Sequence, residues 1–164
     1  MADQNPAAPA EPQADAPAPR LAIVAQYVKD VSFENPRMPG VLHGRETRPQ
    51  IQVRVDVGSR PIADDRHEVE LSVHIEAKTE EETDFVVELV YAGLFAASNI
   101  PQQALSPVLM IEGPRLLFPF ARRIVADLTR DGGLPPLMID PIDFAALFRR
   151  RVEQQRAAVP AGHA

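Results

Sequence analysis

Asp64, Asp65, His67 and Glu68 bring three carboxyl groups and an imidazole into one short run of chain. Held around a substrate, such a set could move protons near neutral pH. An enzyme would also need a nucleophile, an oxyanion-type loop or a glycine-rich phosphate loop, and none stands beside the run. Aspartates at a turn commonly serve the backbone instead. The histidines do not rescue a metal site, because His67 and His74 fall on opposite faces if their segment is a strand and His43 lies in a loop. There is no cysteine, which removes thiolate nucleophiles, cysteine-ligated zinc and disulfide staples. We expect no catalytic residue, no metal and no cofactor.

A second group of charges offers binding chemistry. Thr79–Asp84 holds four acids, Glu80, Glu81, Glu82 and Asp84, and runs into FVVELVYAGLF. As a strand, this segment turns Phe85, Val87, Leu89 and Tyr91 to one face and Val86, Glu88 and Val90 to the other. An ionised carboxylate among aliphatic neighbours belongs on a solvated face, so the sheet has a wet side. The six acids between positions 76 and 88 meet only Lys78, and such a field attracts a basic partner.

The elements that must position these residues follow from periodicity. Leu21–Glu34 alternates, with Leu21, Ile23, Tyr27, Val31 and Phe33 on one side and Gln26, Asp30, Ser32 and Glu34 on the other, and reads as a first strand. Asn35–Pro49 carries three prolines and two glycines, and reads as a long crossover loop. Ile51–Val57 is a second strand with Ile51, Val53, Val55 and Val57 inward. After a turn at Gly58–Asp65, His67–Lys78 is a third, apolar at Val69, Leu71, Val73, Ile75 and Ala77 and polar at Glu68, Glu70, Ser72, His74 and Glu76. Short links make strands two to four an antiparallel meander, which strand one joins through its crossover.

The second half reads as helical. Pro101–Met110 is a short piece broken at Pro107, and Gly113-Pro114 punctuates it. Leu116, Phe120, Ile124 and Leu128, beside Leu117 and Val125, form the buried stripe of a longer helix that Pro119 kinks or opens. Gly132-Gly133 stops it. Asp140-Pro141 then reads as the cap and first residue of a last helix, with Phe144, Leu147, Phe148 and Val152 as its apolar side and Arg149–Arg151 favouring the helix dipole.

At 164 residues the chain suits one domain, and a net charge of −6 disfavours nucleic acid and anionic membrane as partners. Residues 1–20 hold five prolines and seven alanines and read as a disordered arm, and residues 157–164 as a flexible tail. The arm lacks the pattern of a signal peptide, and the apolar run Leu89–Ile100 is shorter than the roughly 20 residues needed to span a bilayer. We expect a soluble protein with no membrane insertion.

Taken together, YVKDVSFENPRMP at Tyr27–Pro39, ADD-xx-EV at Ala63–Val69, EET-x-F-xx-E at Glu81–Glu88 with Gly93-Leu94-Phe95, LFPFAR at Leu117–Arg122 and DF-x-ALF at Asp143–Phe148 resemble the bacterial protein-export chaperone family SecB. The resemblance spans Leu21 to about Gln155. It implies an α+β fold, a four-stranded antiparallel sheet with C-terminal helices assembled as a dimer of dimers in the cytoplasm. It also implies a function: holding precursor proteins unfolded and handing them to the motor ATPase SecA. The positions matching the family's docking site for the zinc-bearing tail of SecA are Asp30, Glu34, Val86 and Glu88. This chain departs from the family in having no tryptophan in the crossover loop, which is about one residue longer than usual. Its loop offers Met38, Val41 and Leu42, adaptable aliphatic and thioether groups.

Met38, Val41, Leu42 and Phe120, where the loop would meet the Pro119 helix, are the expected groove for unfolded chains. The helical half looks too small to cover the sheet, so Val87, Leu89 and Tyr91 are expected at a subunit interface. An enzyme and an acidic adaptor for folded partners remain as rival classes. A hydrolase and metal scan separates the first; competition between a denatured and a folded partner separates the second.

Overall fold

The computed structural model describes residues 17–43, 47–80 and 82–158, so most of the expected arm, Glu81 of the acidic run and the end of the tail lie outside the described residues. Four strands, β1 (Arg20–Glu34), β2 (Gln50–Ala63), β3 (Arg66–Thr79) and β4 (Glu82–Ser98), form one antiparallel sheet in the order β1-β4-β3-β2. Two helices follow, α1 (Gln102–Asp131) and α2 (Phe144–Ala158). The α+β class and the meander of β2, β3 and β4 agree with the sequence reading; β1 joins the sheet through its crossover, beside β4. No helix among the described residues is long and apolar enough to cross a membrane.

One face of the sheet carries the core. Val69, Leu71, Val73 and Ile75 of β3 and Val87, Leu89 and Phe95 of β4 are each at most 2 % exposed. Leu117 and Val125 of α1 and Phe144 of α2 pack into the same cluster. Full burial of each large side chain contributes about 1.5–3 kcal/mol. Val87, Leu89 and Tyr91 therefore lie inside the subunit's own core, and the expectation of them at an interface is corrected: α1 covers the centre of the sheet, with α2 packed against α1. What the helices leave bare is its margins, Ile23, Val28 and Val31 on β1 and Ile51 and Val53 on β2.

Four readings of the elements change. In β1 the register slips at Val24 and at Lys29, and each bulge reverses the alternation. Tyr27 consequently pairs with Ala92 on the solvent face, not with the apolar row, while Gln26 and Val28 turn to the core side. β2 continues through Gly58–Ala63, which the sequence had given to a turn. Pro61 is tolerated because β2 is an edge strand paired only with β3.

The third change is that α1 is a single helix of 30 residues running through Pro107, Pro114 and Pro119. Each proline removes a backbone donor, but the helix is held by burial of Leu109, Met110, Gly113, Leu117, Ala121 and Val125. The stripe is offset from the expected one, since Leu116 and Phe120 are exposed. Small residues set the offset: a Cβ at Gly113 would stand 3.0 Å from Val69, tighter than ordinary contact, so glycine favours this close approach of α1 to β3. Finally, Asp143 and not Asp140 caps α2. Its Oδ1 accepts the Ala146 N–H at 2.9 Å, and that bond holds the carboxyl below its ordinary value.

Candidate functional site

Cross-strand register places the four expected docking residues together. Asp30 pairs with Val90, Ser32 with Glu88 and Glu34 with Val86; β3 continues these rows with Ser72, His74 and Glu76, and β2 with Asp56, Arg54 and Gln52. Residues directly opposite share a face, so Asp30, Glu34, Val86 and Glu88 stand on one patch of the solvent side. Asp30, Glu34 and Glu88 are exposed and Val86 is half-buried between them. Glu88 Oε1 lies 3.2 Å from His74 Nδ1. Glu76 is held below its ordinary value chiefly by the Lys78 ammonium, 2.8 Å away.

The acidic field is narrower than the sequence count implied. Asp84 is 1 % exposed, accepting from Thr79 Oγ1 at 2.8 Å and from Arg37 at 3.3 Å, and Glu82 pairs with the same Arg37 at 2.9 Å. These acids anchor the start of the crossover loop.

Farther along the same face Glu68 is only 3 % exposed, yet charged. It accepts from Tyr27 Oη at 2.5 Å, Arg60 Nε at 2.6 Å and Lys29 Nζ at 3.0 Å, and Lys29 also bonds Glu70. The small side chain of Ala92, opposite both Tyr27 and Glu70, lets groups from β1 and β3 meet above β4. Burial pushes the Glu68 carboxyl up, but the bonds from Arg60, Tyr27 and Lys29 outweigh it and hold the group at about 2. The same hydrogen bond raises Tyr27.

The tempting proton-transfer set does not assemble. Glu68 is on the solvent face and His67 on the core side, and Asp65 pairs with Arg66 while its carbonyl accepts the Ala97 N–H. Among the described residues, no three histidines or acids could hold a metal ion.

On the core side, the bare margin of β2 forms the floor of a trough. A cleft of about 530 Å³ opens between Val41 and Leu42 of the crossover loop, Ile51, Phe85 and the Leu134–Leu137 link. Farther along the same strand lie a cleft of about 340 Å³ over Val53, Val55, Ile139 and Leu147 and, sharing Val55 and Leu147 with it, one of about 450 Å³ over Val57, Phe148 and Arg151. Ile51 to Val57 spans roughly 20 Å of strand, room for about six extended residues. The mouth is braced where Asn35 Nδ2 donates to the Gly132 carbonyl at 2.9 Å, and a Cβ at Gly132 would stand 2.4 Å from Phe33.

Val41 and Leu42 thus line the trough, and Met38 sits at its mouth, its Cε 3.1 Å from where a Gly133 Cβ would be. Phe120 does not join them; its ring stacks on Tyr91 at 6.3 Å, among neighbours separate from those lining the trough. Sequence reasoning missed the opposite wall. LPPLMI, Leu134–Ile139, carried a usable signal: prolines that cannot continue a helix, interleaved with large apolar groups that pack only partly against the core, Met138 staying exposed.

Residues 14–155 match the family described as SecB, Preprotein translocase subunit SecB. The chain is similar to the protein-export protein SecB of Bradyrhizobium sp. (strain BTAi1), 51 % identical over 149 residues and 91 % of each chain. It is 53 % identical over 137 residues to that of Zymomonas mobilis, covering 84 % of this chain and 83 % of the relative. Its fold is similar to that of a SecB-like chaperone from Mycobacterium tuberculosis solved with a ChAD peptide from an antitoxin, with a TM-score of 0.62 at 19 % identity, covering 75 % of this chain and 91 % of that one.

Proposed function

The chain belongs to the SecB family, and from that premise we propose that it is an ATP-independent export chaperone that keeps precursor proteins unfolded in the bacterial cytoplasm and delivers them to the SecA ATPase. The observation that carries the reading is the open trough along β2, an apolar floor of Ile51 and Val53 that the chain's own helices leave uncovered, with Val55 partly exposed beyond them. Exposed apolar surface of this kind needs an occupant, and an extended client segment matches its length and shallow form. Binding there is by mass action.

Met38, Val41 and Leu42 form the loop wall of this groove. Asp30, Glu34, Val86 and Glu88 form the SecA dock on the other face, where collective charge and one aliphatic contact receive a basic tail. The exposed β1 margin at Ile23, Val28 and Val31, with Leu116 and Phe120 on α1, is the surface for further copies in a dimer of dimers; this replaces the core residues Val87, Leu89 and Tyr91. An adaptor for folded partners would use the acidic face but leave the trough without purpose. The purified protein is expected to delay refolding of a denatured precursor, and a folded control should not compete. Unchanged refolding would refute the chaperone reading.

A further inference from the structure

The docking patch contains one group whose charge is not fixed. The row that starts at Ser32 on β1 runs through Glu88 on β4 and His74 on β3 to Arg54 on β2. A cleft of about 290 Å³ opens over this row on the solvent face, lined among others by Asp30, Arg54, Ser72, His74 and Glu88, with room for one long side chain. His74 Nδ1 lies 3.2 Å from Glu88 Oε1, and the His74 side chain is 34 % exposed, so a proton from water and a partner's side chain can both reach the ring. A carboxylate only accepts, so Nδ1 carries the hydrogen of this contact, and Nε2 is the nitrogen that gains a proton when the ring charges. The bond to Glu88 survives that step and becomes an ion pair.

The other charges around the ring have partners of their own or stand farther off. Asp56 on β2 is met by Arg151 at 3.4 Å, and Glu76, two residues along β3, by Lys78 at 2.8 Å. Asp30 and Glu34 stand on β1, beyond β4, and Arg54 faces the ring from β2. Arg54 opposes charging of the ring and the acids favour it, Glu88 being the acid in hydrogen-bond contact among the described residues.

We propose that His74 is a positioning residue of the docking patch whose effect a proton reverses: neutral, it orients Glu88 toward a basic partner, and charged, it neutralises Glu88 from within the chain. This deepens the docking reading above and rests on it. A lysine or arginine entering the cleft would then meet a carboxylate already paired and an imidazolium beside it. Docking therefore weakens as pH falls from about 8 to 6, the interval in which histidine changes charge while carboxylates ordinarily stay ionised. By linkage, docking in turn drives the proton off His74.

Calorimetry of the zinc-loaded basic tail peptide of SecA on the full chain, at pH 8 and at pH 6 in about 0.15 M salt, tests it. Groups that titrate on the peptide act alike on every variant, so the quantity compared is the ratio of the dissociation constants at pH 6 and pH 8. That ratio is expected to be about fivefold larger in wild type than in His74→Gln, the size of one partly exposed ion pair lost. His74→Lys, charged at both pH values, should bind about fivefold more weakly than wild type at pH 8 and show no larger ratio than His74→Gln. The resonances of the His74 ring, followed as pH is lowered, should have their midpoint moved down by bound peptide, which a purely structural histidine would not show. Equal ratios in wild type and His74→Gln, or a ring midpoint that the peptide leaves in place, overturn the proposal. If the peptide binds at pH 8 under either of those results, the dock stands and only this inference falls. If the peptide binds wild type at neither pH, the docking reading falls with it.

Discussion

Two sets of acids lie on the same face of the same sheet in opposite states. Asp30, Glu34 and Glu88 are exposed, and among the described residues their one polar side-chain partner is the His74 ring beside Glu88. Glu68, beyond the Lys29 bulge, is buried under Arg60, Tyr27 and Lys29. The first set can exchange water for a partner's cations, whereas the second has already made that exchange internally. Residue type and face are the same; what distinguishes a docking surface from a structural clamp is whether the chain supplies its own counter-charges.

The sharpest way to break this distinction is to reverse the open set. Asp30→Lys with Glu88→Lys is expected to lower affinity for the basic tail of SecA more than tenfold by calorimetry, on the scale of several exposed pairs lost and turned repulsive. The melting temperature should stay nearly unchanged, since neither side chain is buried. A large fall in melting temperature would mean these acids are structural too.

Glu68→Gln probes the other set. It keeps the shape but removes the charge that three donors address, and should cost about 1–3 kcal/mol of stability by denaturant titration while leaving tail affinity intact. Lost docking in this variant would merge the two sets.

Acid titration sharpens the same contrast. Glu68 is held at about 2, below its ordinary value of 4.5. A depressed carboxyl contributes stability that is fully present above about pH 4.5 and is lost as pH falls toward 2. Wild type should therefore lose stability across that window more steeply than Glu68→Gln. Parallel curves would show that the clamp does not set the acid limb.

The smallest effect is that of salt. Raising it from about 0.05 to 0.5 M should weaken docking severalfold, because exposed charges are screened, and shift melting little, because Glu68 is not.

The bulges explain how much of this was legible in advance. Between Asp30 and Glu34 the alternation of β1 is unbroken, so Asp30, Glu34, Val86 and Glu88 could be placed on one face from the sequence. Upstream of Lys29 the phase is reversed, so Tyr27 was given to the apolar row and the Glu68 clamp was invisible. A bulge has no signature in LAIVAQYVKD that period-two reasoning can see. Helix α1 failed for the opposite reason: its three prolines are strong local signals, overridden by packing through Gly113 and Ala121 onto the sheet. The trough was half legible. Loop residues Val41 and Leu42 stood out as exposed apolar groups, but the facing wall depends on how Gly132 turns the chain back against Phe33.

The central claim is that clients are held in the trough and handed over at a separate, open acidic patch. It is tested most directly by the refolding rate of one denatured precursor with wild type, with Leu42→Asp plus Val53→Asp, and with Asp30→Lys plus Glu88→Lys. Leu42 and Val53 are exposed, so the trough variant should fold. The account predicts that wild type and the patch variant delay refolding equally and that the trough variant does not. A trough variant that holds the precursor as well as wild type, or a patch variant that cannot hold it, would contradict the account.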